Sequence, residues 1–241
     1  MTKKQDLARR IIVALDVGSG KEALALVREL RDVEIFKVGF RLFTAEGPAL
    51  LNEIRKLGRK AFLDLKLHDI PNTVAETVRV AVKHGIHMLT LHASGGREMM
   101  ERAAEAAVLE AEKEGREKPL LLGVTVLTSF KSDELREIGV ASDVASQVLK
   151  LAELARKARM DGLVCSSQEI EIIKKEIGGD FLLVVPGIRP SWAEAGDQKR
   201  IMTPRLAFQK GADYLVIGRP IIEAASPYEA FLKIIEELNQ A

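Results

Sequence analysis

Short aliphatic runs alternate with amphipathic stretches along the whole chain, and this alternation restricts the fold more than any other feature. Runs rich in Val, Ile and Leu at residues 11–17, 35–39, 61–67, 88–93, 121–127, 162–166, 181–187 and 214–219 read as strands. Between them the spacing of apolar side chains predicts helices, for example over 21–31, 73–83, 97–112, 145–160 and 228–238. Nothing interrupts the repeat as a linker would. Eight strand–helix units in 241 residues predict an α/β fold, a single (β/α)8 TIM barrel covering 1–241, with a doubly wound open sheet as the competing arrangement.

Composition narrows the classes of function. With 47% hydrophobic and 29% charged residues the chain has material for a sizeable core, and a net charge of +1 gives no global field for nucleic acid or anionic membrane. Anion recognition must therefore be local. Cys165, the only cysteine, lies in an apolar run and reads as a small core residue, so no disulfide framework is expected. The polar opening Met1–Asp6 lacks a secretion signal's apolar stretch, and no run approaches the roughly 20 residues of a membrane span. A cytoplasmic location is the expectation.

The run Ala61–Leu67 places two ionised residues, Asp64 and Lys66, inside a hydrophobic strand. Residues two apart share a face, so these point together while Leu63, Leu65 and Leu67 point the other way. Charges in a core strand serve either a structural ion pair or chemistry, because an unpaired charge costs several kcal/mol to desolvate. In a barrel the active site lies at the C-terminal ends of the strands. Asp16 ends the first run and Lys37 interrupts the second, so Asp16, Lys37, Asp64 and Lys66 form a row of alternating sign along one sector of the mouth. In such a row each aspartate's pKa is expected to fall and each lysine's to rise. A lysine held protonated is a poor Schiff-base nucleophile but a good proton donor to a developing carbanion.

The loops after the seventh and eighth strands of such barrels often bind phosphate. Here they read Pro186-Gly187-Ile188-Arg189-Pro190 and Gly218-Arg219-Pro220, with glycines that admit close backbone approach and arginines that donate charge-assisted hydrogen bonds. The long segment from Arg189 to Thr203, containing Gln198, is either a lid that reaches the phosphate or a solvated connection. Thr128 and Ser129 near the fifth strand's end either bind a polar ring edge or are simple turn residues. His92 borders the site with a structural hydrogen-bonding role. No His, Cys and carboxylate spacing reads as a metal site.

The strings ALDV at 14–17, FKVG at 36–39, DLKLHDIPNT at 64–73, VTVLTS at 124–129, PGIRP at 186–190 and VIGRPI at 216–221 closely resemble the orotidine 5′-phosphate decarboxylase family. The match runs in order along nearly the whole chain and is similar to the short, stand-alone bacterial form. The resemblance implies conversion of orotidine 5′-monophosphate to uridine 5′-monophosphate and CO2, the last step of de novo UMP biosynthesis, with no metal or organic cofactor. It implies that Lys66 protonates C6 and that Asp64 crowds the departing carboxylate. Lys37 extends the charge network to the ribose, and Asp16 binds the nucleoside. Thr128 and Ser129 contact the pyrimidine, while the Pro186 loop, Arg189, Gln198, Gly218 and Arg219 hold the phosphate. It further implies a homodimer in which Asp69 and Thr73 reach the partner's site, with no nucleic-acid or membrane partner. The alternatives are a magnesium-dependent sugar-phosphate decarboxylase or aldolase of the same superfamily, a Schiff-base aldolase using Lys66, and a noncatalytic nucleotide-binding barrel. Lys37 argues against the first, since that branch carries a metal-binding acid there.

Overall fold

The computed structural model describes residues 3–193 and 202–239. Eight strands, β1 (Ile11–Ala14), β2 (Ile35–Gly39), β3 (Lys60–Leu67), β4 (Met88–His92), β5 (Leu120–Val124), β6 (Gly162–Val164), β7 (Leu182–Val185) and β8 (Tyr214–Ile217), pair in sequence order and close on themselves. Every pairing is parallel. The fold is therefore the closed barrel, and the open sheet is excluded.

Strand alternation builds two cores. One face of the strands fills the barrel interior with Ile12, Ile35, Phe62, Met88, Leu122, Val184 and Val216. The other face, including Val13, Phe36, Leu63, Leu89, Leu163 and Leu215, packs outward against helical residues such as Val27, Ile54, Val78, Ala103, Ala152 and Phe231. Helices at Gly20–Glu29, Pro71–Lys83, Arg97–Lys113, Val144–Lys157 and Pro227–Asn239 match the periodic segments. Shorter helices were not marked by periodicity, among them Phe40–Glu46 and Ala49–Lys56, which are split by Gly47-Pro48, and Ile170–Ile177. They are too short for a hydrophobic period to repeat.

Several strands stop before their hydrophobic runs do. β1 ends at Ala14 although Leu15 and Val17 stay buried, and β5 ends at Val124 although Thr125 and Val126 stay buried. Single backbone bonds, from the Leu15 N–H to the Lys37 carbonyl and from the Thr125 N–H to the Val164 carbonyl, continue past those ends, and burial carries on beyond them at Val17 and Val126.

β6 and β7 approach closely at Gly162, whose partner in register is Leu182. A Cβ at Gly162 would lie 2.4 Å from the Leu182 carbonyl oxygen and 2.7 Å from its Cβ. Backbone cannot swing aside as a side chain does. Gly162→Ala is expected to destabilise the fold by about 2–3 kcal/mol, the cost of overpacking a tight core. An unchanged denaturant midpoint would contradict the approach.

Candidate active site

Register places the charged residues at one height. Ala14 lies beside Lys37, and Gly39 beside Asp64, so the interior-facing side chains of β2 and β3 emerge together above the hydrophobic layer. Lys37 Nζ lies 3.1 Å from Asp16 Oδ1 and 3.6 Å from Asp64 Oδ2. Lys66 Nζ donates to both Asp64 oxygens at 2.9 Å. The four charges thus form a continuous row, in which Lys37 and Asp64 are the least exposed and Asp16 is more than half exposed. Burial by itself would raise the Asp64 pKa, but Lys37, Lys66 and the hydrogen bonds from Lys66 and Thr90 override it and hold the carboxyl below its usual range. Asp64 is ionised at neutral pH.

Simple alternation does not fully account for Lys66. Between the pairs Leu63–Leu89 and Leu67–Leu91 the register of β3 against β4 shifts, so three residues of β3 face one residue, Thr90, of β4. Lys66 sits in the bulge at φ 47°, a left-handed conformation that costs a non-glycine residue about 1–3 kcal/mol. Its backbone N–H donates to Thr90 Oγ1 at 2.9 Å, and the Thr90 hydroxyl donates to Asp64 Oδ1 at 2.9 Å. Thr90 is fully buried. It escaped notice in the sequence because threonine is an ordinary strand former, although its position two residues above the interior-facing Met88 placed it on the site's side.

A cavity of about 230 Å³ joins this row to the loops after β7 and β8. Asp16, Lys37 and Asp64 line one side, while Pro186, Gly187, Arg189, Gly218 and Arg219 line the other. A second hollow of about 110 Å³ adjoins it, lined by Asp16, Lys37, Asp64, Lys66 and the 39–42 segment. Gly218 brings the β8 loop close, since a Cβ there would lie 3.3 Å from Ala14 Cβ and 3.4 Å from Asp16 Oδ2. β8 ends at Ile217, and Arg219 opens a one-turn helix with Pro220 behind it, so the arginine stands on the mouth rather than in the ladder. Arg189 is buried, and its N–H donates to the Met202 carbonyl at 3.0 Å, which ties together the two ends of the connection after β7. Larger hollows of about 650 and 630 Å³ lie beside Arg9, Arg59 and Phe231, and beside Glu101, Leu109 and Lys157. Neither contains any member of the charged row.

The remaining sequence-derived residues lie elsewhere. Asp69 is exposed and accepts the N–H of the next residue, Ile70, at 2.7 Å, while Thr73 is exposed on the following helix. Thr128 and Ser129 follow β5 in a loop, and these two, like Asp69 and Thr73, line neither mouth cavity. Gln198 lies outside the described residues. The His92 and His68 rings are 5.5 Å apart, and burial, His68 and Lys66 lower the His92 pKa against the opposing pull of Asp64. Cys165 is buried, which pushes its thiol pKa far up. Among the described residues no group of three His, Cys, Asp or Glu side chains gathers as a metal cluster, and no helix is long and apolar enough to cross a membrane.

Known proteins are similar to this chain along nearly its whole length. Residues 9–234 match the model of the orotidine 5′-phosphate decarboxylase / HUMPS family. An orotidine 5′-phosphate decarboxylase of Syntrophomonas wolfei is 52% identical over 234 residues, covering 96% of this chain and 98% of the relative. One from Pseudoalteromonas translucida is 50% identical over 235 residues, covering 97% of each. The crystal structure of orotidine 5′-phosphate decarboxylase from Lactobacillus acidophilus superposes with a TM-score of 0.86 at 38% identity, covering 96% of this chain and 99% of that one. Nearly full-length identity at this level, on a closed barrel, shows that the chain belongs to the orotidine 5′-phosphate decarboxylase / HUMPS family.

Proposed function

We propose that the whole chain acts as one catalytic domain that converts orotidine 5′-monophosphate to uridine 5′-monophosphate and CO2 in UMP biosynthesis. The observation that carries this reading is the cavity itself. It holds Asp16, Lys37 and Asp64 together with Arg189 and Arg219, and Lys66 lines the adjoining hollow, so a nucleotide anchored by its phosphate on the arginines presents its base to the charged row.

In this reading the bond between C6 and the carboxylate breaks heterolytically, CO2 departs, and the electron pair remains on C6. The Asp64 carboxylate, ionised and held by two lysines, faces the substrate carboxylate. Loss of CO2 relieves the repulsion between them. Lys66 Nζ stabilises the carbanion by its charge and then gives it a proton, while solvent restores the lysine. These donors stand in place before the substrate arrives, which is where electrostatic catalysis is largest. The steps call on no metal or organic cofactor. Lys37 supports the decarboxylase over its magnesium-dependent relatives, because a cation fills the position where that branch needs an acid.

Asp69 and Thr73 act in the neighbouring site of a homodimer. Their absence from both cavities of their own chain supports this, as does the apolar side chain between them, Ile70, which is 67% exposed. Thr128, Ser129 and Gln198 complete the contacts to base and phosphate.

The test is spectrophotometric. Purified protein in the presence of a chelator is expected to consume the orotate chromophore of orotidine 5′-monophosphate with release of CO2. A chromophore that stays intact would overturn the assignment, and turnover abolished by the chelator would transfer it to the magnesium-dependent branch.

A further inference from the structure

We propose that Thr90 is a positioning residue, whose single buried hydroxyl fixes both the backbone of Lys66 and the carboxylate of Asp64 for proton delivery. This deepens the decarboxylase reading and rests on it.

Opposite Asp64, Leu65 and Lys66 the strand β4 offers one residue, so the regular ladder cannot supply a carbonyl to each N–H of β3. The Lys66 N–H turns to the Thr90 hydroxyl at 2.9 Å. A backbone N–H only donates and an ionised carboxylate only accepts, so the hydroxyl between them has one permitted arrangement. It takes the Lys66 N–H on a lone pair and gives its own proton to Asp64 Oδ1 at 2.9 Å. The same Oδ1 also receives Lys66 Nζ, which closes a ring through the Lys66 backbone, the Thr90 hydroxyl, the Asp64 carboxylate and the Lys66 ammonium. One hydroxyl therefore sets where the lysine's chain leaves the strand and how the carboxylate that holds its ammonium is rotated. Thr90 is fully buried, so bulk solvent does not reach its hydroxyl.

A valine keeps the shape of threonine and removes both hydrogen bonds, whereas serine keeps them. Misplacement of a reacting group by about 1 Å costs on the order of 100-fold in rate. Thr90→Val is thus expected to lower kcat on orotidine 5′-monophosphate about 100-fold, with the Kd for uridine 5′-monophosphate held within about threefold by the distant arginine rim. Thr90→Ser should stay within about fivefold of wild type in kcat. The Thr90 bond favours ionised Asp64, which also faces Lys37 and Lys66 and lies near the imidazole of His92. Its loss moves the acid limb of the Thr90→Val rate profile to higher pH. A role confined to packing would leave that limb in place.

If Thr90→Val does not fold by circular dichroism, Thr90→Ala is compared with Thr90→Ser in the same assays. Near-normal kcat in the hydroxyl-free variant, an unmoved acid limb, or a Thr90→Ser as impaired as Thr90→Val would each overturn the positioning role. A wild type that leaves orotidine 5′-monophosphate untouched would end the decarboxylase reading and this role together. An active wild type with an indifferent Thr90→Val would end this role alone.

Discussion

Lys66→Ala is expected to lower kcat on orotidine 5′-monophosphate by at least about 10⁴-fold while changing the Kd for uridine 5′-monophosphate only a few-fold. A positioned proton donor contributes about 10²–10⁴, and a preorganised charge beside a developing carbanion a further 10²–10³. In the product complex C6 carries neither a carboxylate nor an anionic pair, so the ammonium contributes little to uridine 5′-monophosphate affinity and the loss falls on kcat. The proposed phosphate anchor is Arg189 and Arg219, which line the larger mouth cavity, whereas Lys66 lines the adjoining hollow. Removal of Lys66 leaves Asp64 with the Thr90 hydroxyl and with Lys37 at 3.6 Å, so its carboxyl titrates at higher pH than in wild type. A residual kcat within 100-fold of wild type would show that some other group protonates C6. A Kd for uridine 5′-monophosphate weakened in proportion to kcat would show that Lys66 binds rather than transforms.

The barrel was legible because eight aliphatic runs recur with helical periods between them, and a parallel strand buried on both faces has no other way to appear in a sequence. The charged row was legible for the opposite reason. Asp64 and Lys66 break a run that is otherwise Ala, Phe and Leu, and register then carries Lys37 to within reach of both aspartates. The bulge was hidden, because no glycine marks the left-handed position that Lys66 adopts. Thr90 was hidden with it, since a threonine in a strand signals nothing until the register shift opposite it is known. The strand ends were overrun because Leu15, Val126 and Cys165 remain buried past the last paired residues Ala14, Val124 and Val164. Thr128 and Ser129 rest on their place at the end of the fifth strand and on the family resemblance, since they line neither cavity around Asp64.

Asp69 separates a site contained in one chain from a shared one, and mixing two inactive variants distinguishes the cases. Asp69 follows β3 on an exposed turn, accepts the N–H of Ile70 and lines neither cavity of its own chain. A carboxylate so placed contributes to its own site only after the turn rearranges, whereas in the proposed homodimer its exposed position would let it serve the partner's mouth. Asp69→Ala and Lys66→Ala homodimers should each be nearly inactive. After subunit exchange at equal concentrations, half of the dimers are mixed, and in each of these one site combines an intact Lys66 with the partner's intact Asp69. The other site lacks both. The mixture is therefore expected to regain about a quarter of wild-type turnover per chain, from a starting value near zero. Differently tagged chains establish that exchange has occurred. Exchange without recovered turnover would place Asp69 in the site of its own chain, and the solvent-facing turn described here would then have to fold back over the mouth when nucleotide binds.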